Sequence, residues 1–485
     1  MRRRTLLTGM GVAGLGAAVS VPVWAGQSPR LSPAAMQSDA ALLRRAYETL
    51  HPGLLRYQTA GQATARFDAL AAAQPLATGD FYLALARCLS AVRCGHSYAN
   101  FYNQSDAIPA ALFDARPRLP LHFVWLGERM IVTADPHGTG IARGTEVVAI
   151  DGHPARAILA ALIPLTRADG HNDGKRRQLL SVGGEDGYET FDVLYGLRFS
   201  GGPRYTLDLR APDGRTRRAV VEGIDLKTRR SVATPTNDTD NPGWRVERRG
   251  RAAVMTMPGW GLYNSKWDWR DWIDDEMDRL IADRVPALIV DIRANEGGED
   301  CGDVLLERIV ERGVTADPAR RLVRYRELPA DLRPYCDTWD RSFDKLGVNA
   351  RRYDDRFLEL TGTDRDAAVI APRGKRYDGK LIVLTGPENS SATFAFIQTV
   401  QREKLGTLVG EPTGGNRRGI NGGCFYFLRL PETGLEVDLP LIGTFPRVMP
   451  PDAGIVPDVA APRTPRSIAE GGDPAMAAAL ALVRS

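Results

Sequence analysis

Motifs for metal, nucleotide and α/β-hydrolase chemistry are missing from this sequence. It contains no H-E-x-x-H, no paired-cysteine zinc spacing, no G-x-x-x-x-G-K-[ST] phosphate loop and no G-x-S-x-G elbow, so the corresponding site classes lose support. Cysteine is scarce. The five present, Cys88, Cys94, Cys301, Cys336 and Cys424, show no C-x-x-C spacing; their odd number excludes full pairing, and most are expected as buried thiols. Charge of one sign is not in large excess either, since 63 Lys+Arg against 59 Asp+Glu leave +4 over 485 residues. Nothing global draws such a chain to nucleic acid. The short basic runs at 227–230 and 248–251 have Asp225 and Glu247 beside them and read as solvated faces. No stretch reaches the roughly 20 strongly apolar residues of a membrane span.

With 43% hydrophobic and 25% charged residues, the chain has globular proportions, and at roughly 150 residues per domain its length suits about three domains. Residues 1–25 open with Arg2-Arg3-Arg4, continue through a Gly/Ala-rich apolar stretch and end at Pro22-Val23-Trp24-Ala25. This pattern predicts a twin-arginine signal peptide, cleaved to leave a periplasmic or secreted protein with no stable membrane anchor. Gly9, Gly11 and Gly14 within it match the dinucleotide fingerprint as a string, but they follow no strand and reflect composition.

Residues 32–110 show apolar side chains three and four apart, predicting an N-terminal helical region. Residues 117–225 change to short Val/Ile/Leu/Tyr runs punctuated by Gly, Pro and Asp, predicting a small β-rich domain with strands at 119–125, 130–133 and 205–209 and a helix at 156–163. A polar linker at 231–243 precedes residues 244–465, where strands at 252–257, 287–292, 381–385 and 406–410 alternate with helices at 267–282 and 392–402. That alternation predicts an α/β core. Trp260, Trp267, Trp269 and Trp272 read as packing residues.

Three stretches sit where regular elements give way to turns. Ser390-Ser391-Ala392 follows the strand at 381–385 and opens a helix, where unpaired backbone N–H groups favour an oxyanion, although a lone serine there is usually an N-cap. Gly297-Gly298 ends the run Asp291-Ile292-Arg293-Ala294-Asn295-Glu296, and paired glycines let backbone amides approach a ligand. Gly95-His96-Ser97 supplies an imidazole suited to general-base work.

In this order the three stretches, with Gly410-Glu411-Pro412-Thr413-Gly414 and Gly454-Ile455-Val456-Pro457-Asp458-Val459, resemble the tail-specific or C-terminal processing serine peptidases, including their tricorn-core-like Ser/His branch. Residues 140–152 also resemble the core of PDZ domains. The resemblance implies an α/β fold with a crotonase-like catalytic core, an N-terminal helical region and a PDZ-like domain. It implies Ser391 as nucleophile, His96 as general acid/base and an oxyanion hole from Ala392 with Gly297 and Gly298. No lysine follows Thr413-Gly414, which argues against a Ser/Lys dyad. Asp452 stands as the acid that would orient His96. The implied activity is endopeptidic, without metal or cofactor, on a peptide or protein substrate bound as an extended or C-terminal segment. The reading from another class is a catalytically inactive peptide- or ligand-binding protein on the same fold.

Overall fold

The computed structural model describes residues 30–484 except 73, 185–186, 200–201, 234–238, 316–317 and 362–368. The expected signal at 1–25 and the centre of the expected linker at 231–243 therefore lie outside the described residues. Three helices lead the chain: α1 (Pro33–Leu50), α2 (Ala60–Ala71) and α3 (Thr78–Ser90). Ser32 caps α1 through the Ala35 amide, and Thr59 with Gln62 forms a reciprocal capping box on α2, so both helices start where orphan amides find side-chain oxygens. Met36, Ala40, Leu43, Tyr47 and Leu50 form the buried stripe of α1. At the end of α3 the chain turns through Arg93, at φ +62°, into the loop that carries His96.

A second unit holds one antiparallel sheet in the order β1 (His122–Leu126), β2 (Arg129–Ala134), β3 (Glu146–Ile150), β4 (Arg204–Arg210), β5 (Thr216–Glu222). The first strand begins three residues later than expected. Pro120 has no amide to donate and the Leu121 amide turns back onto the Leu119 carbonyl, so pairing cannot start earlier. Helices accompanying the sheet include α4 (Ala155–Leu162), as expected, and α5 (Asp173–Leu179) and α6 (Thr190–Phe199), which the sequence pattern does not predict. The short α5 has no apolar period because Lys175 and Arg176 make its buried face.

The third unit is a sheet of β6 (Arg245–Arg249), β7 (Ala252–Thr256), β8 (Ala287–Asp291), β9 (Lys380–Thr385), β10 (Thr407–Gly410) and β11 (Val459–Ala460). All neighbours in it are parallel except β6 with β7. Parallel strands buried on both faces need near-continuous apolar runs, and Ala287-Leu288-Ile289-Val290 supplies one. Leu288 and Val290 pack on one side with Ile273, Met277, Leu305, Phe396 and Ile397 from α7 (Trp269–Ala282), α8 (Cys301–Glu307) and α9 (Ser391–Arg402). Ala287 and Ile289 pack on the other side with Ala475, Met476 and Ala479 of α10 (Pro474–Arg484).

A long antiparallel hairpin, Asn421–Arg429 with Glu436–Phe445, rises beside this sheet. Its residues Tyr426, Leu428, Val437 and Leu439 share a core with the N-terminal helices. Its second strand pairs with the His96 loop through Tyr98 and Asp438. None of the five cysteines forms a disulfide. Among the described residues no helix is long and apolar enough to cross a membrane.

Candidate active site

The parallel sheet places two turns against each other at the carboxyl ends of β8 and β9. After β8, the Asn295 side chain donates to the Met257 carbonyl at 2.8 Å and accepts the Gly297 amide at 2.9 Å. After β9, the Asn389 side chain donates to the Ile292 carbonyl at 2.6 Å and accepts the Gly386 amide at 2.8 Å. Two buried asparagines thus lock both turns through the otherwise unpaired backbone groups that each turn exposes.

Gly297, at φ +118°, faces the start of α9 so closely that a Cβ there would lie 2.9 Å from the Ala392 nitrogen and from the Ser391 Cβ. Gly298, at φ +139°, would set a Cβ 2.1 Å from the Trp260 carbonyl oxygen. Only glycine satisfies both the backbone conformation and the approach. The Gly297 amide is already spent on Asn295, whereas the Gly298 and Ala392 amides donate to no group among the described residues. Of the Gly297-Gly298 turn, expected to supply one oxyanion amide, Gly298 is the residue whose amide is open.

Ser391 begins α9 at φ +50°, a left-handed conformation that is strained for a side-chain-bearing residue. The N-cap position belongs to Ser390, whose hydroxyl makes no capping bond and donates instead to the Glu296 carbonyl at 3.2 Å. Neither serine caps the helix through its side chain, so the first amides of α9 are left open where its dipole is positive.

Ser391, Ala392, Gly297, Gly298 and His96 line one cavity of about 790 Å³. His96 is half-buried, its ring centroid 5.7 Å from that of Phe425 in the long hairpin. Its Nδ1 is buried with no hydrogen-bond partner among the described residues. Burial lowers its pKa below the usual 6.5, with Asp169 and Glu296 opposing that shift and Arg167 and Lys175 adding to it.

Asp452 is elsewhere. Its carboxylate takes the His171 ring Nδ1 at 2.6 Å, the His171 amide at 3.2 Å and the Asn416 side-chain amide at 2.7 Å. The stretch around Asp452 folds back on residues 169–171 of the second unit, so the offset from Gly454 that suggested a partner for His96 leads to His171 instead.

Sequence reasoning missed the charged group that joins the two halves of the site. Arg167 donates to the Gly95 carbonyl at 2.8 Å and forks Glu296 with bonds of 2.7 and 3.0 Å. Its guanidinium also lies 4.4 Å from the Tyr98 ring centroid. Lys175, 2% exposed, reaches Glu296 at 2.9 Å and Glu388 at 3.0 Å. On the other face of the loop, the Gly95 amide donates to Asp169 at 2.9 Å. One segment of the second unit therefore holds the residue before His96 by both backbone groups and the residue before Gly297 by its carboxylate. Burial raises the Glu296 pKa, but Arg167 and Lys175 outweigh it and hold the carboxyl well below the usual range. Deeper still, the Gly53 amide donates to His51 Nδ1 at 3.1 Å, which leaves Nε2 to donate to the Ser97 hydroxyl at 2.9 Å. Among the described residues no three His, Cys, Asp or Glu side chains group as metal ligands.

The model of peptidase family S41 matches residues 251–422, the span containing the parallel strands β7 to β10, both turns and Ser391. This part of the chain is similar to that family, the C-terminal processing peptidases that the sequence resembles, and the match supports a serine-type peptidase. No curated protein matches the chain in sequence. Two structures of mature CPAF, one of them complexed with lactacystin, share its fold with TM-scores of 0.62 and 0.58 at 15% identity. They cover 91% of this chain and 96% and 95% of theirs. The photosystem II D1 C-terminal processing protease covers 91% of this chain and 98% of its own at 15% identity, with a TM-score of 0.41.

Proposed function

We propose that the protein is an exported serine endopeptidase that cleaves peptide bonds through an acyl-enzyme on Ser391, with His96 as general acid/base. The observation that carries this reading is the uncapped start of α9, where Ser391 sits at φ +50° beside open amides and shares its cavity with His96. In the first step Ser391 Oγ attacks the scissile carbonyl carbon while His96 takes the hydroxyl proton. The oxyanion is met by the Ala392 and Gly298 amides, each donor of this kind contributing on the order of 3 kcal/mol to the transition state. His96 then gives its proton to the leaving amine, and water attacks the ester by the reverse path. With Nδ1 shut away, Nε2 is the nitrogen left for these transfers. The oriented third group of a triad is replaced by a dyad whose loop is held by Arg167 and Asp169.

The parallel sheet is read as a crotonase-like core within residues 244–465, and residues 117–225 as a PDZ-like domain that offers a strand edge to an extended or C-terminal substrate segment. Export by the twin-arginine route rests on residues 1–25.

Because burial lowers the His96 pKa, the imidazole is neutral and competent throughout the neutral range. Protonation removes the base, so kcat/KM on an uncharged peptide is expected to be flat near pH 7 and to fall only below pH 6.5. A pH–rate profile checks this. An acid limb centred above 6.5 would contradict His96 as the base in this environment.

A further inference from the structure

Resting on the peptidase reading, we infer that the cavity selects substrates with a lysine or arginine side chain close to the scissile bond, held between the Asp438 carboxylate and the aromatic faces of Trp339, Phe425 and Phe427. All four residues line the cavity that contains Ser391 and His96.

Asp438 is 7% exposed, and the side-chain hydrogen bonds its carboxylate accepts come from neutral amides. It accepts the Asn100 side-chain amide on Oδ2 and the Asn103 side-chain amide on Oδ1, both at 2.8 Å. A carboxylate offers about four acceptor positions, and these two bonds occupy two of them. A buried anion hydrogen-bonded only to neutral groups is costly unless a cation completes it; burial pushes this carboxyl up to about 6, with Asn100, Asn103 and, through space, Arg167 opposing the shift.

The second observation is independent of the carboxylate. Trp339 is 43% exposed, large and apolar, with its ring centroid 5.9 Å from Phe425 and 5.8 Å from Phe427. Phe427 is the register partner of Asp438, and directly opposed residues of an antiparallel pair point to the same face. Aromatic faces attract ammonium and guanidinium groups. Phe425 is also the neighbour of His96, which brings the pocket next to the reacting bond.

Among the described residues no positive side chain of the cavity bonds the Asp438 carboxylate, although Arg167 acts on it through space and lowers its pKa. Arg167 is forked by Glu296. Arg321 faces Thr444, roughly 20 Å along the strand from Asp438 at about 3.3 Å per residue. An aromatic pocket with a neutral floor would favour an apolar side chain; the buried carboxylate turns the preference towards a cation.

The test uses matched peptides that differ only in lysine or norleucine at each position around the cleaved bond. Cleavage by the full-length protein is read by mass spectrometry, and binding to the Ser391→Ala variant by fluorescence anisotropy. Lysine is expected to be favoured about tenfold or more at one position, and Asp438→Asn to reduce that ratio to near one, with folding checked by thermal melting. Trp339→Leu, at an exposed position, is expected to lower the same ratio and serves if the Asp438 variant does not fold. Equal affinity for the two peptides, or variants that weaken both alike, would overturn the inference. Lysine-selective binding without any cleavage would support the pocket while removing the peptidase reading beneath it.

Discussion

Ser391→Ala is expected to lower kcat/KM for peptide cleavage by about 10⁴-fold or more, His96→Ala to match it, and the double variant to lose no further activity. The physical reason is that nucleophile and base act in a single proton transfer, so removing either removes the whole step. The amides of Gly298 and Ala392 remain in all three variants and supply the residual rate. Steady-state kinetics on a mixed pool of unstructured peptides measures the effect. Losses that add between the two sites would mean that the residues do not act as a unit. Peptides bound equally by all three proteins and cut by none would favour a binding protein on this fold.

Arg167→Ala is expected to have the second largest effect, and it divides into two parts. Stability falls by about 2 kcal/mol in denaturant melts, less than the 3–5 kcal/mol typical when a fully buried pair is broken, because Glu296 keeps Lys175 and is partly exposed. Activity falls about 10²-fold because the Gly95 carbonyl loses its donor and His96 is no longer held in place. Arg167→Lys separates the parts. A lysine restores a positive charge beside Glu296 but cannot fork it and also reach Gly95, so most stability returns and most activity does not. Equal recovery of both would make Arg167 only a structural cation. The linkage has a definite sign. The Glu296 pKa is depressed in the folded protein, so its contribution is complete above the ordinary carboxylate range and is lost as pH falls below that range. Arg167→Ala should therefore flatten the acid side of the stability curve.

What could be read in advance follows from where each signal sits in the chain. Ser391, Gly297, Gly298 and His96 stand out in the sequence because each lies at the end of a periodic element, and the fold brings all four to one cavity. The strands β7 to β10 were legible because parallel strands buried on both faces leave unbroken apolar runs. The clamp on the site was hidden. Arg167 and Glu296 are 129 positions apart, and charged residues in polar loops read as solvent-facing until the fold closes around them. Helix α5 was hidden for a related reason, since its buried face is made of Lys175 and Arg176. For Asp452 the offset to Gly454 points to His96, whereas the approach of residues 169–171 sets His171 beside it. The long hairpin escaped notice because Gly422, Gly423 and Pro440 interrupt the pattern of its strands, and with it went the aromatic wall beside His96.

The most direct test of a nucleophilic Ser391 activated by His96 is covalent trapping. The full-length protein is treated with a fluorophosphonate and digested, and the adduct is located by mass spectrometry. The account predicts a single adduct on Ser391 whose rate of formation collapses in His96→Ala. A folded protein that remains unlabelled, or that is labelled equally fast without His96, would contradict it.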